Sequence, residues 1–280
     1  MILVTGATGR IGGEAVRLLT EAGAKTRALL RHPEKGSAWK GIEVVKGDLD
    51  DAASVAAALQ GVKQVLLVTS SGNSEQEIRV TNAARAAGVD HVVKISSLGT
   101  GANPPTKLAM GHAESEAALQ RSGLAWTFVR PGLFAQNFLA FAPLIKAHGR
   151  FSASARDGKI APIDTRDIAA VAVKALLAPG HAGKTYSLTG PVALSYAEIA
   201  DKLAAAIGKP VAYVDVPPAE TRDNLLRAGL PEWLAGDMLT LQERIASGGL
   251  NIVSPDVAAV LGRPARSFDD FANDHAAAFQ

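Results

Sequence analysis

The chain of 280 residues is 48% hydrophobic, and its 29 basic and 27 acidic residues leave a formal charge of +2. That balance, without a run of like charge, gives no electrostatic argument for nucleic acid or a membrane surface as partner. Cysteine is absent, which excludes disulfides, thiolate nucleophiles and cysteine-held metals. No uninterrupted apolar stretch reaches the ~18 residues of a membrane span, and the strand-like Met1–Thr5 leaves no room for a leader, so the expectation is a cytoplasmic protein.

The apolar run Met1-Ile2-Leu3-Val4 reads as a strand that turns through glycines into a helix over Gly12–Ala22. The turn is G-x-x-G-x-x-G. Gly6 suits the tight bend, Gly9 lets backbone N–H groups approach a pyrophosphate, and Gly12 lets the helix pack closely on the strand. This context predicts a dinucleotide site, with Thr8, Arg10 and Ile11 in the same turn, rather than an ordinary βα connection. The next strand, Thr26–Leu30, ends at Arg31, 19 residues past Gly12, where an acidic residue would favour NAD. An arginine there suits the 2′-phosphate of NADP, with Arg10 as a second contact. Further strands are expected at Glu43–Lys46, Val65–Thr69, Val92–Ser96 and Trp126–Arg130, with helices Ala52–Leu59, Glu75–Ala87 and His112–Gln120 between them. Such alternation predicts an α/β fold, a Rossmann-type doubly wound parallel sheet. Ligands of such sheets sit at the carboxyl ends of the strands. There stand Asp48, as acceptor for the adenine amino group or as a helix cap, Leu49 against the ring, and the hydroxyl clusters Thr69-Ser70-Ser71 and Ser96-Ser97.

After Pro131 the texture changes. Leu133–His148 is apolar and aromatic, Ile160–Ile163 is strand-like, Asp164 to Asp167 cap a helix over Ile168–Leu177, and Thr185–Thr189 is a further strand. A capping box, Ser195-x-x-Glu198, then opens a mainly helical region with the strand Val211–Val214 and two helical runs after it. We assign 1–132 plus 151–189 to a nucleotide-binding unit, and 133–150 plus 190–280 to a smaller lobe over the carboxyl edge of the sheet. The six histidines are dispersed and suggest no metal site. The number of copies that assemble is left open.

Taken together, Thr5 to Gly12, Leu30 to Lys35, Gly47-Asp48-Leu49, Ser122 to Thr127, Arg130-Pro131-Gly132, Ile163 to Ala169 and Gly183 to Gly190 resemble the NmrA-like branch of the atypical short-chain dehydrogenase/reductases. Within it the likeness is greatest to the NADPH:quinone oxidoreductases and the triphenylmethane-dye reductases. The resemblance implies a Rossmann lobe, NADP(H), and a substrate cleft between lobes, with Pro131 lining the nicotinamide. It also places Phe134, Asn137 and Phe138 on the next helix, where phenylalanines could stack on a flat acceptor and the Asn137 amide, expected to be buried, could bond a quinone oxygen. For any single phenylalanine, a core position is the stronger expectation.

The chain departs from the wider family at its Tyr-x-x-x-Lys pair, whose places fall near Leu108 and His112. Without that tyrosine, an alkoxide formed from a simple ketone has no proton donor, whereas a conjugated acceptor spreads the incoming charge and can take its proton from water. His112 is the candidate catalytic residue, with an i,i+4 surface pair to Glu116 as the alternative. The reading is an NADPH-dependent reductase of quinones or similar conjugated acceptors. Alternatives are an NADP(H)-sensing regulator, or an imine or enone reductase using the same cleft.

Overall fold

The computed structural model describes residues 1–69, 73–101 and 103–280. In chain order the first part runs β1 (Ile2–Val4), α1 (Arg10–Glu21), β2 (Thr26–Leu30), β3 (Ile42–Lys46), α2 (Ala52–Ala58), β4 (Gln64–Leu67), α3 (Ser74–Ala86), β5 (His91–Ile95), α4 (Lys107–Arg121) and β6 (Ala125–Pro131). Then come α5 (Ala142–His148), β7 (Arg150–Ala153), β8 (Lys159–Ile160), α6 (Thr165–Leu177), β9 (Lys184–Leu188), β10 (Leu194–Ser195) and α7 (Tyr196–Ile207). The chain closes with β11 (Ala212–Asp215), α8 (Pro218–Arg227), α9 (Glu232–Ala246), α10 (Asp256–Leu261), α11 (Phe268–Asp274) and α12 (Ala276–Phe279).

Seven strands form one parallel sheet in the order β3-β2-β1-β4-β5-β6-β9. The strands are apolar at successive positions because helices cover both faces. Ile2, Val4 and Leu66 point to the side where α1 packs on α6, while Leu3, Val65 and Leu67 point to the side covered by α2, α3 and α4. Each such side chain contributes about 1.5–3 kcal/mol by leaving water, so a slip of one residue in register would put both sets against the wrong layer.

The strand order reverses between β1 and β4, and there the carboxyl ends diverge and open a crevice. Thr5 fixes its width: its hydroxyl donates to the Val68 carbonyl at 2.7 Å and accepts from the Val68 N–H at 2.8 Å. Gly6 follows with φ +58°, and a Cβ there would stand 2.8 Å from the Val68 oxygen. At Gly12 a Cβ would come within 2.2 Å of the Gly6 carbonyl oxygen. Glycine is required at both positions by contact with backbone, which cannot move aside.

A separate core of Phe138, Phe151, Tyr196, Ile199, Leu203 and Phe268 holds the smaller lobe together. The segment 151–164, which sequence assigned to the nucleotide-binding unit, has its strands here: β7 pairs with β11, and β8 pairs with β10. The short stretch Phe151 to Ile160 buries its apolar residues against α7 and its neighbours, and we propose that it belongs to the smaller lobe. The chain rejoins the large sheet only through α6 and β9. The expected strand Ile160–Ile163 contracts to Lys159–Ile160, with Ile163 in an isolated bridge to Phe134. Five helices, rather than two runs, follow β11. No helix among the described residues is long and apolar enough to cross a membrane.

Candidate active site

A groove of about 510 Å³ lies over the glycine turn. Its near wall is Gly6, Thr8, Gly9, Arg10 and Ile11. Gly12 lies beneath, in the first turn of α1, where its close approach to Gly6 seats the helix on the turn. Helices α2, α3, α4, α6 and α7 open on a side-chain cap: Asp51, Asn73, Thr106, Asp164 and Ser195 each accept a first-turn backbone N–H. Helix α1 differs, for its N-cap is Gly9 and its first turn has no acidic residue. The free N–H groups and the positive end of the helix dipole therefore face the groove, as a pyrophosphate requires.

The far wall carries Arg31, His32, Lys35, Asp48 and Leu49. Arg10, Arg31 and Lys35 form no ion pair with a carboxylate among the described residues, which leaves three cations for a 2′-phosphate and pyrophosphate. Lys35 is the cation of this wall that strand-end spacing does not mark. Asp48 does not cap α2; that is done by Asp51, and the Asp48 carboxylate accepts only the Asp50 N–H at 3.0 Å. These features fit an NADP-type dinucleotide.

Next to the groove lies a cleft of about 340 Å³ with a mostly apolar lining. Ile11, Val68, Thr69, Phe134 and Asn137 belong to the walls of both, so the two spaces are continuous. Pro131, Ser96, Leu108 and His112 line the cleft and not the groove. The Ser96 hydroxyl donates to Glu116, and Ser96 stands in the wall of the cleft beside Pro131 rather than in that of the groove. Ser70 lies outside the described residues.

The stretch after β6 is a 3-10 helix, Ala135–Phe141, rather than an α-helix. At three residues per turn, positions 135, 138 and 141 share one side and 134, 137 and 140 another. Phe138 is accordingly 2% exposed, with Phe268 edge-on at 5.4 Å, and lines neither space. Its expected substrate role is corrected to the lobe's core. Phe134 and Asn137 face the other way, into the groove and cleft. Asn137 is exposed, not buried as expected, and its side chain has no hydrogen-bond partner among the described residues.

His112 is placed by a network that sequence did not reveal. Lys94 is fully buried on β5, and its Nζ lies 3.0 Å from Glu77 Oε2, 3.0 Å from His112 Nδ1 and 3.3 Å from the Ile95 carbonyl oxygen. Three acceptors match the three protons of an ammonium. Glu77, also fully buried, receives in addition the hydroxyls of Thr69, at 2.7 Å, and Ser115. Burial pushes the Lys94 ammonium below its ordinary range, against the pull of Glu77. Burial, and then the charge of Lys94, pushes the His112 imidazolium down to about 3. His112 is therefore neutral at pH 7, with Nδ1 accepting from Lys94 and the proton on Nε2. The expected surface pair to Glu116 is not formed, because Glu116 binds Arg130 in a two-pronged pair and accepts from Ser96. The one signal in sequence was Lys94 itself, a charge in the middle of the strand Val92-Val93-Lys94-Ile95, which a sheet covered on both faces cannot leave unpaired.

The sheet order, the glycine turn and the uncapped helix define a dinucleotide-binding protein of the doubly wound class. Residues 1–260 match the NmrA-like family, and the chain belongs to it. Over 283 residues it is 42% identical to the NAD(P)H azoreductase of Xenophilus azovorans, covering 100% of this chain and 99% of the relative. It is 40% identical over 282 residues to the (4-alkanoyl-5-oxo-2,5-dihydrofuran-3-yl)methyl phosphate reductase of Streptomyces griseus, covering 100% and 99%. The NADPH-dependent quinone oxidoreductase of Escherichia coli, solved with NADPH, superposes with a TM-score of 0.89 at 34% identity, covering 98% of this chain and 99% of that one.

Proposed function

We propose that the protein is an NADPH-dependent reductase of quinones and similar conjugated acceptors, working in the cytoplasm. The observation that carries this reading is the continuity of the cationic, glycine-floored groove with an apolar cleft that has Leu108, and no tyrosine, in its described lining. Arg10, Arg31 and Lys35 hold the phosphates, Leu49 covers the adenine, and Thr8 and Ile11 complete the turn. Bound NADPH supplies the hydride, and the acceptor, taking it with one proton from water, is reduced by two electrons.

The chain's own part is position and polarisation. Phe134 stacks on a flat acceptor and Asn137 directs its amide at the acceptor's oxygen or nitrogen. His112, fixed with its proton on Nε2, donates a hydrogen bond as a neutral imidazole and polarises the acceptor without ionising. Lys94 and Glu77 hold that tautomer. The relatives named above, an azoreductase, a reductase of a dihydrofuranone that bears a methyl phosphate, and a quinone oxidoreductase, support an enzyme over a pure sensor of redox state. The test is NADPH oxidation by the purified protein with a panel of quinones, azo compounds, cationic dyes, enones and cyclic imines. Turnover above the enzyme-free rate is expected with quinones or azo compounds, and NADPH binding without turnover of any of them would establish a sensor instead.

A further inference from the structure

Helix α9 forms one wall of the cleft and is anchored by Asp237, whose two carboxylate oxygens accept the Lys107 and Leu108 N–H groups at 3.0 and 2.9 Å. Thr106 takes the next N–H of that turn, from Ala109, at 3.1 Å. The first turn of α4 is thus saturated and offers nothing to an anion. Leu241 and Arg244 stand four and seven residues beyond Asp237, hence on the same side of α9, and both line the cleft.

Arg244 is half-buried, yet its guanidinium has no hydrogen-bond or ion-pair partner among the described residues; its backbone carbonyl accepts from the Gly249 N–H and the Ser247 hydroxyl. No aspartate or glutamate lines the cleft, and His112 is neutral, so Arg244 is the one formal charge on its described wall. An unpaired cation at the edge of an apolar space is unfavourable until an anion reaches it. We propose that Arg244 is a specificity residue that binds an anionic substituent, a carboxylate, sulfonate or phosphate ester, carried by the acceptor away from its reducible group. The inference rests on the reductase reading. It adds that anionic conjugated acceptors are preferred over neutral ones and that cationic dyes are poor substrates. The planar guanidinium offers paired N–H donors that match an oxyanion, which an ammonium does not reproduce.

The test compares 1,2-naphthoquinone with 1,2-naphthoquinone-4-sulfonate on the wild type, Arg244→Leu and Arg244→Lys, with the enzyme-free rate subtracted. Because the two quinones differ in electron demand, the quantity read is the ratio of their kcat/KM values in each variant relative to wild type. A charge-assisted hydrogen bond predicts that Arg244→Leu lowers the sulfonate's relative kcat/KM by about tenfold or more, mainly through KM, and that Arg244→Lys recovers part of it. Calorimetric titration of 2-naphthalenesulfonate into the protein saturated with NADP⁺ gives a second reading that needs no turnover, and the same weakening is expected. An unchanged ratio, or equal binding of naphthalenesulfonate by wild type and Arg244→Leu, overturns the proposal. If neither quinone is reduced but naphthalenesulfonate binding still depends on Arg244, the anion site stands and the reductase reading is what has failed. Melting curves of both variants check that the fold is intact.

Discussion

Replacing Lys94 by Met removes the charge and keeps much of the volume of a side chain that is fully buried. What remains is Glu77, also fully buried, with two hydroxyl donors and no cation. Breaking a buried pair from one side costs about 3–5 kcal/mol, because the partner's charge is left uncompensated. At about 2–4 °C per kcal/mol for a chain approaching this size, the melting temperature should fall by roughly 6–20 °C. Removing the second charge in Lys94→Met/Glu77→Gln should restore most of that loss, since neutral Gln can still bond to Thr69 and Ser115. Circular dichroism melts of the wild type, both single variants and the double variant close the cycle. The double variant also isolates the role proposed for the network: with folding recovered, His112 has lost the donor to Nδ1, so turnover should stay low while NADPH affinity is unchanged. A loss below ~1 kcal/mol in Lys94→Met, or a double variant as unstable as the sum of the singles, would refute the argument that the two charges are coupled.

The dinucleotide groove makes Arg31→Ala weaken NADPH by about ten- to a hundredfold and leave NADH nearly unchanged, measured by calorimetry with both cofactors; equal weakening would remove Arg31 from the 2′-phosphate. Asn137→Leu should lower kcat/KM for a quinone by about tenfold with the melting temperature held, since the amide is exposed and ties nothing together. Phe138→Ala, by contrast, should cost about 3–5 kcal/mol of stability and leave NADPH affinity per folded molecule unchanged, because the ring is core. His112 is pushed down to about 3 in the folded protein, so the unfolded chain takes up its proton first. Its contribution to stability is complete above about pH 6.5 and lost as the pH falls toward 3. Melting temperatures of wild type and His112→Gln between pH 7 and 4 should therefore converge as the pH falls, and parallel curves would show that His112 is not held neutral by the fold.

The large sheet was legible because every one of its signals is local. Apolar runs of four or five residues, helix caps such as Asp164 and the Ser195–Glu198 box, and the close approach of Gly12 to Gly6 act within a few residues of where they stand. The groove was legible for the same reason, since Arg31 and Asp48 follow directly from strand ends. Phe138 was misplaced because the difference between 3.6 and 3.0 residues per turn decides which side of a short helix faces the cleft, and apolar spacing does not distinguish them over seven residues. The pairing of the segment 151–164 was not legible, because two- and four-residue strands owe it to partners some 34 and 62 residues away.

By the resemblance, Leu108 and His112 stand near the places where the wider short-chain family carries tyrosine and lysine, and both line the cleft. A tyrosine beside a lysine can give up a proton, whereas a neutral imidazole whose Nδ1 already accepts from Lys94 can only lend one through a hydrogen bond. The burial of Lys94 and Glu77 therefore has a chemical consequence beyond stability. It keeps a positive charge some 3 Å behind the ring, which strengthens the Nε2–H as a donor and prevents the ring from becoming an acid of ordinary strength. Such a site stabilises partial negative charge and does not neutralise a full alkoxide. Acceptors that delocalise the incoming electron pair meet that condition, and an isolated ketone does not. Under the proposed function the same polarity accounts for Leu108: where the acceptor spreads its own charge, an apolar wall that excludes water serves better than a tyrosine hydroxyl competing for the atom that we propose Asn137 and His112 address.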